Sequence, residues 1–136
     1  MRFHNKVTLV ELLEEVAIIG VLVAISIPIF TSQLEKAREA TDLANIRAAY
    51  AEISAAALSE DEAPAKTTNV EFKRDGSENA YVYTATVKLT QKEAGWKTTG
   101  AGSAVAGITA TGEPKVGGTA VVTVTEATGA TTIEYK

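Results

Sequence analysis

The sequence contains no cysteine and only one histidine, His4, which lies in a short polar leader. The lack of cysteine excludes disulfide bonds, zinc–thiolate sites and cysteine nucleophiles. The position of the single histidine excludes Ser-His-Asp triads and metal clusters of the usual spacing. The phosphate-cradling patterns GxxxxGK[ST] and GxGxxG are also missing. We therefore expect neither an enzyme nor a protein that binds a cofactor or a metal.

Positive charge is scarce as well. The chain has 13 Lys and Arg residues against 17 Asp and Glu residues, which gives a formal net charge of −4. Binding to nucleic acid through the phosphate backbone requires clustered positive charge. We expect no nucleic-acid partner.

The residues that are abundant are distributed unevenly along the 136 positions. Residues 7–30 are mostly aliphatic, residues 31–62 are alanine-rich and charged, and residues 63–136 are rich in Thr, Val and Gly. The sequence therefore predicts a leader peptide (1–6), a hydrophobic membrane or filament-core helix (7–30), an amphipathic helix (31–62) and a β-rich globular head (63–136).

The hydrophobic segment is long enough to cross a lipid bilayer. As a helix, residues 7–30 extend about 36 Å, although the stretch without charge, residues 16–30, covers only about 22 Å. The basic leader places the start of the chain on the cytoplasmic side. A cleaved secretory signal is the alternative, but it requires a small-residue cleavage site after the apolar run. Here the run ends in Pro-Ile-Phe and passes directly into a helical pattern.

Residues 6–30 read KVTLVELLEEVAIIGVLVAISIPIF. This string resembles the N-terminal signature of type IV pilins and of the pseudopilins of type II secretion. In that signature a basic leader precedes Thr-Leu-Val/Ile-Glu-Leu and a long aliphatic helix. Residues 8–12 match it in order, and Gly20 and Pro28 stand where the family has its Gly and Pro. The resemblance covers about the first 50 residues, and the head shows no comparably specific match.

The resemblance implies that a prepilin peptidase cuts the chain between Lys6 and Val7 and methylates the new amine. It also implies that Glu11 neutralises the N-terminal amine of a neighbouring subunit in a helical filament. A lone carboxylate among apolar side chains is costly, and a paired one much less so. The residues to which the resemblance assigns assembly are Thr8, Glu11, Leu12, Gly20 and Pro28.

Four positions depart from the family pattern. Lys6 stands where the family has Gly, and Val7 where it has an aromatic residue. Glu14 and Glu15 replace residues that are usually aliphatic, and each needs a proton, a partner or water in a filament core.

Gly20 and Pro28 lie inside the predicted helix. Gly costs about 1 kcal/mol in a helix interior and Pro about 3 kcal/mol, because Pro lacks the N–H donor and clashes with the preceding turn. The sequence therefore predicts a kink or local melting between these residues, with Ser26 satisfying part of the freed carbonyls.

The amphipathic helix has an apolar stripe with spacings of three and four residues. Its members are Leu43, Ile46, Tyr50, Ile53 and Ala57, extended backwards by Ala40, Ala37 and Leu34. The opposite face, predicted to meet solvent or neighbouring subunits, carries Glu35, Lys36, Arg38, Glu39, Asp42, Arg47 and Glu52.

The head changes to a period of two, which is typical of half-buried strands. Strands are predicted around residues 70–72, 81–89, 120–125 and 132–135, with turns at Asp75-Gly76-Ser77 and Thr128-Gly129. Residues 91–118 are Gly-rich and predicted to be irregular, with Trp96 filling the core or the edge of the head. The expected class is α+β: a long helix against three to four antiparallel strands.

We therefore expect a homo-oligomeric pilus subunit. It lies in the cytoplasmic membrane before the prepilin peptidase and the pilus assembly machinery bring it into an extracellular filament. The alternatives are a pseudopilin of a type II secretion or DNA-uptake machine, and a membrane-anchored binding domain that never assembles.

Overall fold

The structure is a computed structural model that describes residues 8–136. It has one helix followed by six strands, so the predicted α+β class is confirmed. The helix, α1, is Leu9–Ser59. The strands are β1 (Val70–Asp75), β2 (Val82–Lys88), β3 (Ala104–Val105), β4 (Ile108–Thr111), β5 (Thr119–Thr125) and β6 (Thr131–Tyr135).

Helix α1 is helical without interruption through Gly20 and Pro28. The melted stretch offered as one sequence-based alternative is therefore not found between these residues. Pro28 removes only one helical N–H donor. Ser26 Oγ donates to the carbonyl of Leu22 at 2.7 Å, and Thr31 Oγ1 donates to that of Ile27 at 2.9 Å. Both carbonyls precede Pro28, and neither is that of Ala24, which is the carbonyl left without the proline's N–H, so the predicted role of Ser26 is not met.

The chain divides into two compact units, one up to Leu34 and one from Glu35 to Lys136. In the second unit the helix packs against a sheet with strand order β1-β2-β5-β6-β4-β3. Neighbouring strands run antiparallel, except for β4 and β6, which are parallel.

The core of the second unit lies between the helix and the alternate residues of the two central strands. Tyr83, Ala85 and Val87 of β2 are buried, and they lie opposite Val124, Val122 and Ala120 of β5. The period of two brings all six side chains to one face of the sheet. The helix contributes its own buried apolar side chains, which are Leu43, Ile46, Ala49, Ile53, Ala56 and Ala57.

The predicted apolar stripe is correct from Leu43 onwards, but its backward extension is wrong. Leu34, Ala37 and Ala40 are exposed. Glu35, Glu39 and Asp42, predicted to face solvent, are buried instead. This part of the helix meets backbone N–H groups of the head, and such donors require acceptors rather than methyl groups.

The sheet has more strands than the three to four predicted. Residues 91–118, predicted to be irregular, contribute β3 and β4. Each is short, and β4 joins the sheet through only two residue pairs with β6. Strands of two and four residues are too short for the period of two to be recognised in the sequence.

The end of the helix is fastened to the sheet. Glu60 has φ of +56°, the left-handed conformation that ends many helices. The carbonyl of Glu60 accepts from the guanidinium of Arg74 at 3.4 Å, and that of Asp61 accepts from the hydroxyl of Tyr83 at 2.7 Å. The Arg74 guanidinium also lies 3.6 Å from the ring centre of Tyr81, in cation–π contact. These contacts connect the helix end to β1 and β2.

Candidate assembly site

The first unit is a helix whose large apolar side chains are exposed on every side. Between 48 and 74 % of the surface of each is accessible. They are Leu9, Val10, Leu12, Leu13, Val16, Ile18, Ile19, Val21, Leu22, Val23, Ile25, Ile27, Ile29, Phe30 and Leu34. A helix that is apolar all round is stable only when lipid or protein covers it. This apolar segment, residues 9–34, is the first candidate site.

By length and composition, α1 is able to cross a membrane, and no residue of its most apolar stretch is buried within the chain. Signal sequences near an N-terminus have the same properties. The apolar segment therefore has to be buried against a partner, which is either a lipid bilayer or another protein.

Thr8 and Glu11 form a reciprocal pair at the start of α1. The backbone N–H of Glu11 donates to Thr8 Oγ1 at 3.2 Å, and the N–H of Thr8 donates to Glu11 Oε2 at 3.3 Å. This arrangement is a capping box, which satisfies two amides that the helix itself leaves unpaired. Glu11 therefore has a local role in the single chain, which the sequence analysis did not predict. The signal was available as the spacing Thr-x-x-Glu before an apolar run.

The other residues assigned to assembly lie along the same helix. Leu12 is about half exposed, and Gly20 and Pro28 lie in helical turns. A Cβ added to Gly20 meets no atom within 4 Å, so within the single chain nothing requires glycine there. Glu14 and Glu15 are exposed. Lys6 and Val7, to which processing was assigned, lie outside the described residues.

A second group of charged side chains lies on helix α1 in the second unit, at positions that the sequence predicted to face solvent or neighbouring subunits. Glu35, Glu39 and Asp42, called here the carboxylate row, are each at most 1 % exposed. Their spacings of four and three residues place them on one face of the helix. All three carboxylates accept hydrogen bonds from the segment Thr90–Thr98, which follows β2.

The two ends of the row hold the first part of that segment. Asp42 accepts from the N–H of Thr90 at 2.9 Å, from its hydroxyl at 2.8 Å and from the N–H of Gln91 at 3.2 Å. Glu35 accepts from the N–H groups of Lys92 and Glu93, each at 3.0 Å. Hydrogen bonds to a carboxylate are stronger than those between neutral groups. The row therefore fixes the backbone of a segment that has no regular secondary structure.

Glu39, in the middle of the row, holds the end of the segment. It accepts from the N–H of Lys97 and, at 3.0 Å, from the N–H of Thr98. Between the two held parts, the N–H of Gly95 donates to the carbonyl of Pro114 at 2.9 Å. The segment is thus fastened to the helix on both sides of Trp96.

Trp96 fills a gap between the segment and the sheet, as the sequence predicted. Its ring meets that of Tyr135 edge-on, with centroids 5.4 Å apart. The hydroxyl of Tyr135 donates to the carbonyl of Gly102 at 2.8 Å. Gly102 has a left-handed φ of +70° and lies so close to the Trp96 ring that a side chain there would clash. Burial raises the pKa of Tyr135 to about 12.

Glu35 makes the stability of the head sensitive to acid. Burial by itself raises the pKa of Glu35, but the N–H groups of Glu93 and Lys92 and the guanidinium of Arg38 outweigh it. The net result is a pKa below the ordinary value of 4.5. A lowered pKa in the folded state means that Glu35 stabilises the head fully above about pH 4.5. This contribution is lost as the pH falls through the folded-state pKa.

We expect this contribution to be absent from a Glu35→Gln variant, since glutamine does not titrate. Denaturant unfolding of both proteins at steps from pH 7 to pH 3 measures it. The parent is expected to be the more stable at pH 7, and the difference is expected to shrink as the pH falls below about 4.5. A difference that stays constant over this range contradicts the role given to Glu35.

The fold and the two sites define an α+β chain with an apolar N-terminal helix open to a lipid or protein partner and a head held by buried carboxylates. No protein-family model, curated protein or solved structure matches the chain.

Proposed function

We propose that the chain is a pilin-like structural subunit. It resides in the cytoplasmic membrane before assembly and then polymerises through its apolar segment into an extracellular type IV pilus filament. The observation that carries this proposal is the apolar surface of residues 9–34, which is exposed on all sides of the helix. A bilayer covers such a surface before assembly, and helices of other copies cover it afterwards.

Two further observations support an exchange between lipid and protein. Residues 8–12, where the segment starts, read Thr-Leu-Val-Glu-Leu, the order found in the pilin signature. The segment also contains three carboxylates in its first turns, Glu11, Glu14 and Glu15, which a permanent lipid anchor has no use for. In a bundle of helices, a carboxylate paired with a cation of another copy costs far less than one in hydrocarbon.

The head supports a display role. It is fastened to the same helix that carries the apolar segment, and its helix end and its Thr90–Thr98 segment are both held by charged side chains. A subunit without disulfide bonds obtains its stability from its hydrophobic core and from contacts of this kind. This protein contains no cysteine.

The test is to express the full chain in a bacterial host that has a pilus assembly machinery and to shear filaments from the cell surface. We expect the filaments to contain the chain, starting at Val7 with a methylated amine, as mass spectrometry of the mature N-terminus shows. Long filaments indicate a pilus, and short ones the pseudopilus of a secretion or DNA-uptake machine. Membrane-bound monomers with Met1 intact contradict the proposal and favour the non-assembling anchor.

A further inference from the structure

Six exposed alanines form a narrow track of small side chains on the solvent face of α1 in the second unit. They are Ala37, Ala40, Ala44, Ala48, Ala51 and Ala55, called here the alanine seam. Their spacings of three and four residues place them on one face of the helix. Small side chains of this kind let a second helix approach closely.

Lys36 stands at the start of the seam. It is exposed, and no carboxylate lies within ion-pair distance of it in residues 8–136. Arg38, two residues on, is already paired with Glu35 at 3.3 Å. Lys36 is thus the nearest cation after the apolar segment that is available to a carboxylate of another molecule.

The apolar segment offers the complementary charge. Glu14 and Glu15 are exposed and have no cationic partner among the residues that the structure describes. Directly after them come 15 residues without charge, 16–30. Directly after Lys36 come the 15 residues 37–51, which contain five of the six seam alanines. Glu15 followed by residues 16–30 therefore has the same length and opposite charge as Lys36 followed by residues 37–51.

We propose that the seam of one copy receives the apolar segment of a second, parallel copy, with Glu15 of the second copy paired to Lys36 of the first. This inference rests on the proposed function and specifies the register of its subunits. The copies are displaced by 21 positions, about 32 Å along an α-helix. A displaced, parallel contact joins different surfaces of the two copies, so that it repeats without closing and produces a filament.

Arg47 is the competing cation, since it is also exposed and has no ion-pair partner among the described residues. Pairing Glu15 with Arg47 places residues 16–30 of one copy beside residues 48–62 of the other. Helix α1 ends at Ser59, so that register runs beyond the helix. It also leaves three of the six seam alanines uncovered. The geometry therefore favours Lys36.

The test compares two double variants of the full chain that carry the same net charge, Glu15→Lys with Lys36→Glu and Glu15→Lys with Arg47→Glu. Sheared filaments are measured relative to the amount of chain in the membrane. Glu15→Lys alone is expected to lower the yield about tenfold or more, because it places two cations together. The exchange with Lys36 is expected to restore most of the yield, and the exchange with Arg47 is not.

Equal yields from the two double variants, or an unreduced yield from Glu15→Lys alone, overturn the pairing while leaving the proposed filament intact. A parent chain that makes no filaments overturns the filament and, with it, the register. The two failures are therefore distinguishable.

Discussion

A Glu39→Ala variant is expected to lose about 2–3 kcal/mol of unfolding free energy, because the change leaves the N–H groups of Lys97 and Thr98 without their acceptor. A fully buried donor without a partner costs about 1–3 kcal/mol, and the hydrogen bonds from these two N–H groups to Glu39 are partly buried. For a unit of this size, the loss corresponds to a decrease in Tm of about 10 °C or more. If the Thr90–Thr98 segment moves so that water hydrates the freed N–H groups, the loss of unfolding free energy is smaller, so about 3 kcal/mol is its upper limit.

Trp96 is a suitable probe for this measurement. It is the only tryptophan in the chain and directly precedes Lys97, so its fluorescence reports on the head rather than on the apolar segment. Denaturant unfolding of the detergent-solubilised full chain, followed at Trp96, gives the free energy. Amide hydrogen exchange at Lys97 and Thr98 is expected to become at least about tenfold faster, since local opening then costs less.

Glu52→Ala is the matched control. Glu52 lies on the same helix, but it is exposed and forms no side-chain hydrogen bond or ion pair within residues 8–136. Its removal is expected to change the free energy by less than about 0.5 kcal/mol. If Glu39→Ala has an effect as small as that of Glu52→Ala, the carboxylate row does not hold the head together.

The parts of the fold that the sequence predicted are those with long, regular patterns. The apolar run and the 3.6-residue period predicted a long helix, although one kinked or melted between Gly20 and Pro28, and the period of two predicted β1, β2, β5 and β6 within a few residues. Such patterns are local, because they are visible within a single helix or strand. In each strand, side chains that face the core alternate with side chains that face away from it. These patterns could be recognised without knowing which strand pairs with which.

The carboxylate row could not be predicted in this way. Glu35, Glu39 and Asp42 look like surface residues, because isolated acids are rarely buried in protein cores. They are buried because a distant segment, about 50 to 60 positions along the chain, supplies backbone N–H groups. Nothing local in the helix encodes that donor set. The short strands β3 and β4 were missed for a different reason: β3 pairs with its neighbour β4, but with two and four residues both are too short to show the period of two.

The second large effect is expected for Glu11→Gln, a change that removes a charge and keeps a cap. Glutamine also serves in a capping box, so the hydrogen bond from the N–H of Thr8 is expected to remain. What disappears is the negative charge that the proposed filament pairs with a subunit amine. Breaking a buried ion pair costs about 3–5 kcal/mol, so the filament yield is expected to fall at least tenfold.

Thr8→Ala separates the two roles of Glu11. It removes the hydroxyl that accepts from the N–H of Glu11 and costs the helix start about 1 kcal/mol, but it leaves the carboxylate in place. If capping were the whole role of Glu11, Glu11→Gln, which keeps a cap, would assemble normally, and Thr8→Ala would be the more impaired of the two variants. We expect Thr8→Ala to assemble to within about threefold of the parent.

Electron microscopy of filaments sheared from cells with equal membrane levels of the parent, Glu11→Gln and Thr8→Ala chains tests the account most directly. We expect abundant filaments from the parent and from Thr8→Ala, and few or none from Glu11→Gln. Filaments from Glu11→Gln in parental number would show that the negative charge at the start of the apolar helix does not drive its transfer from lipid to protein.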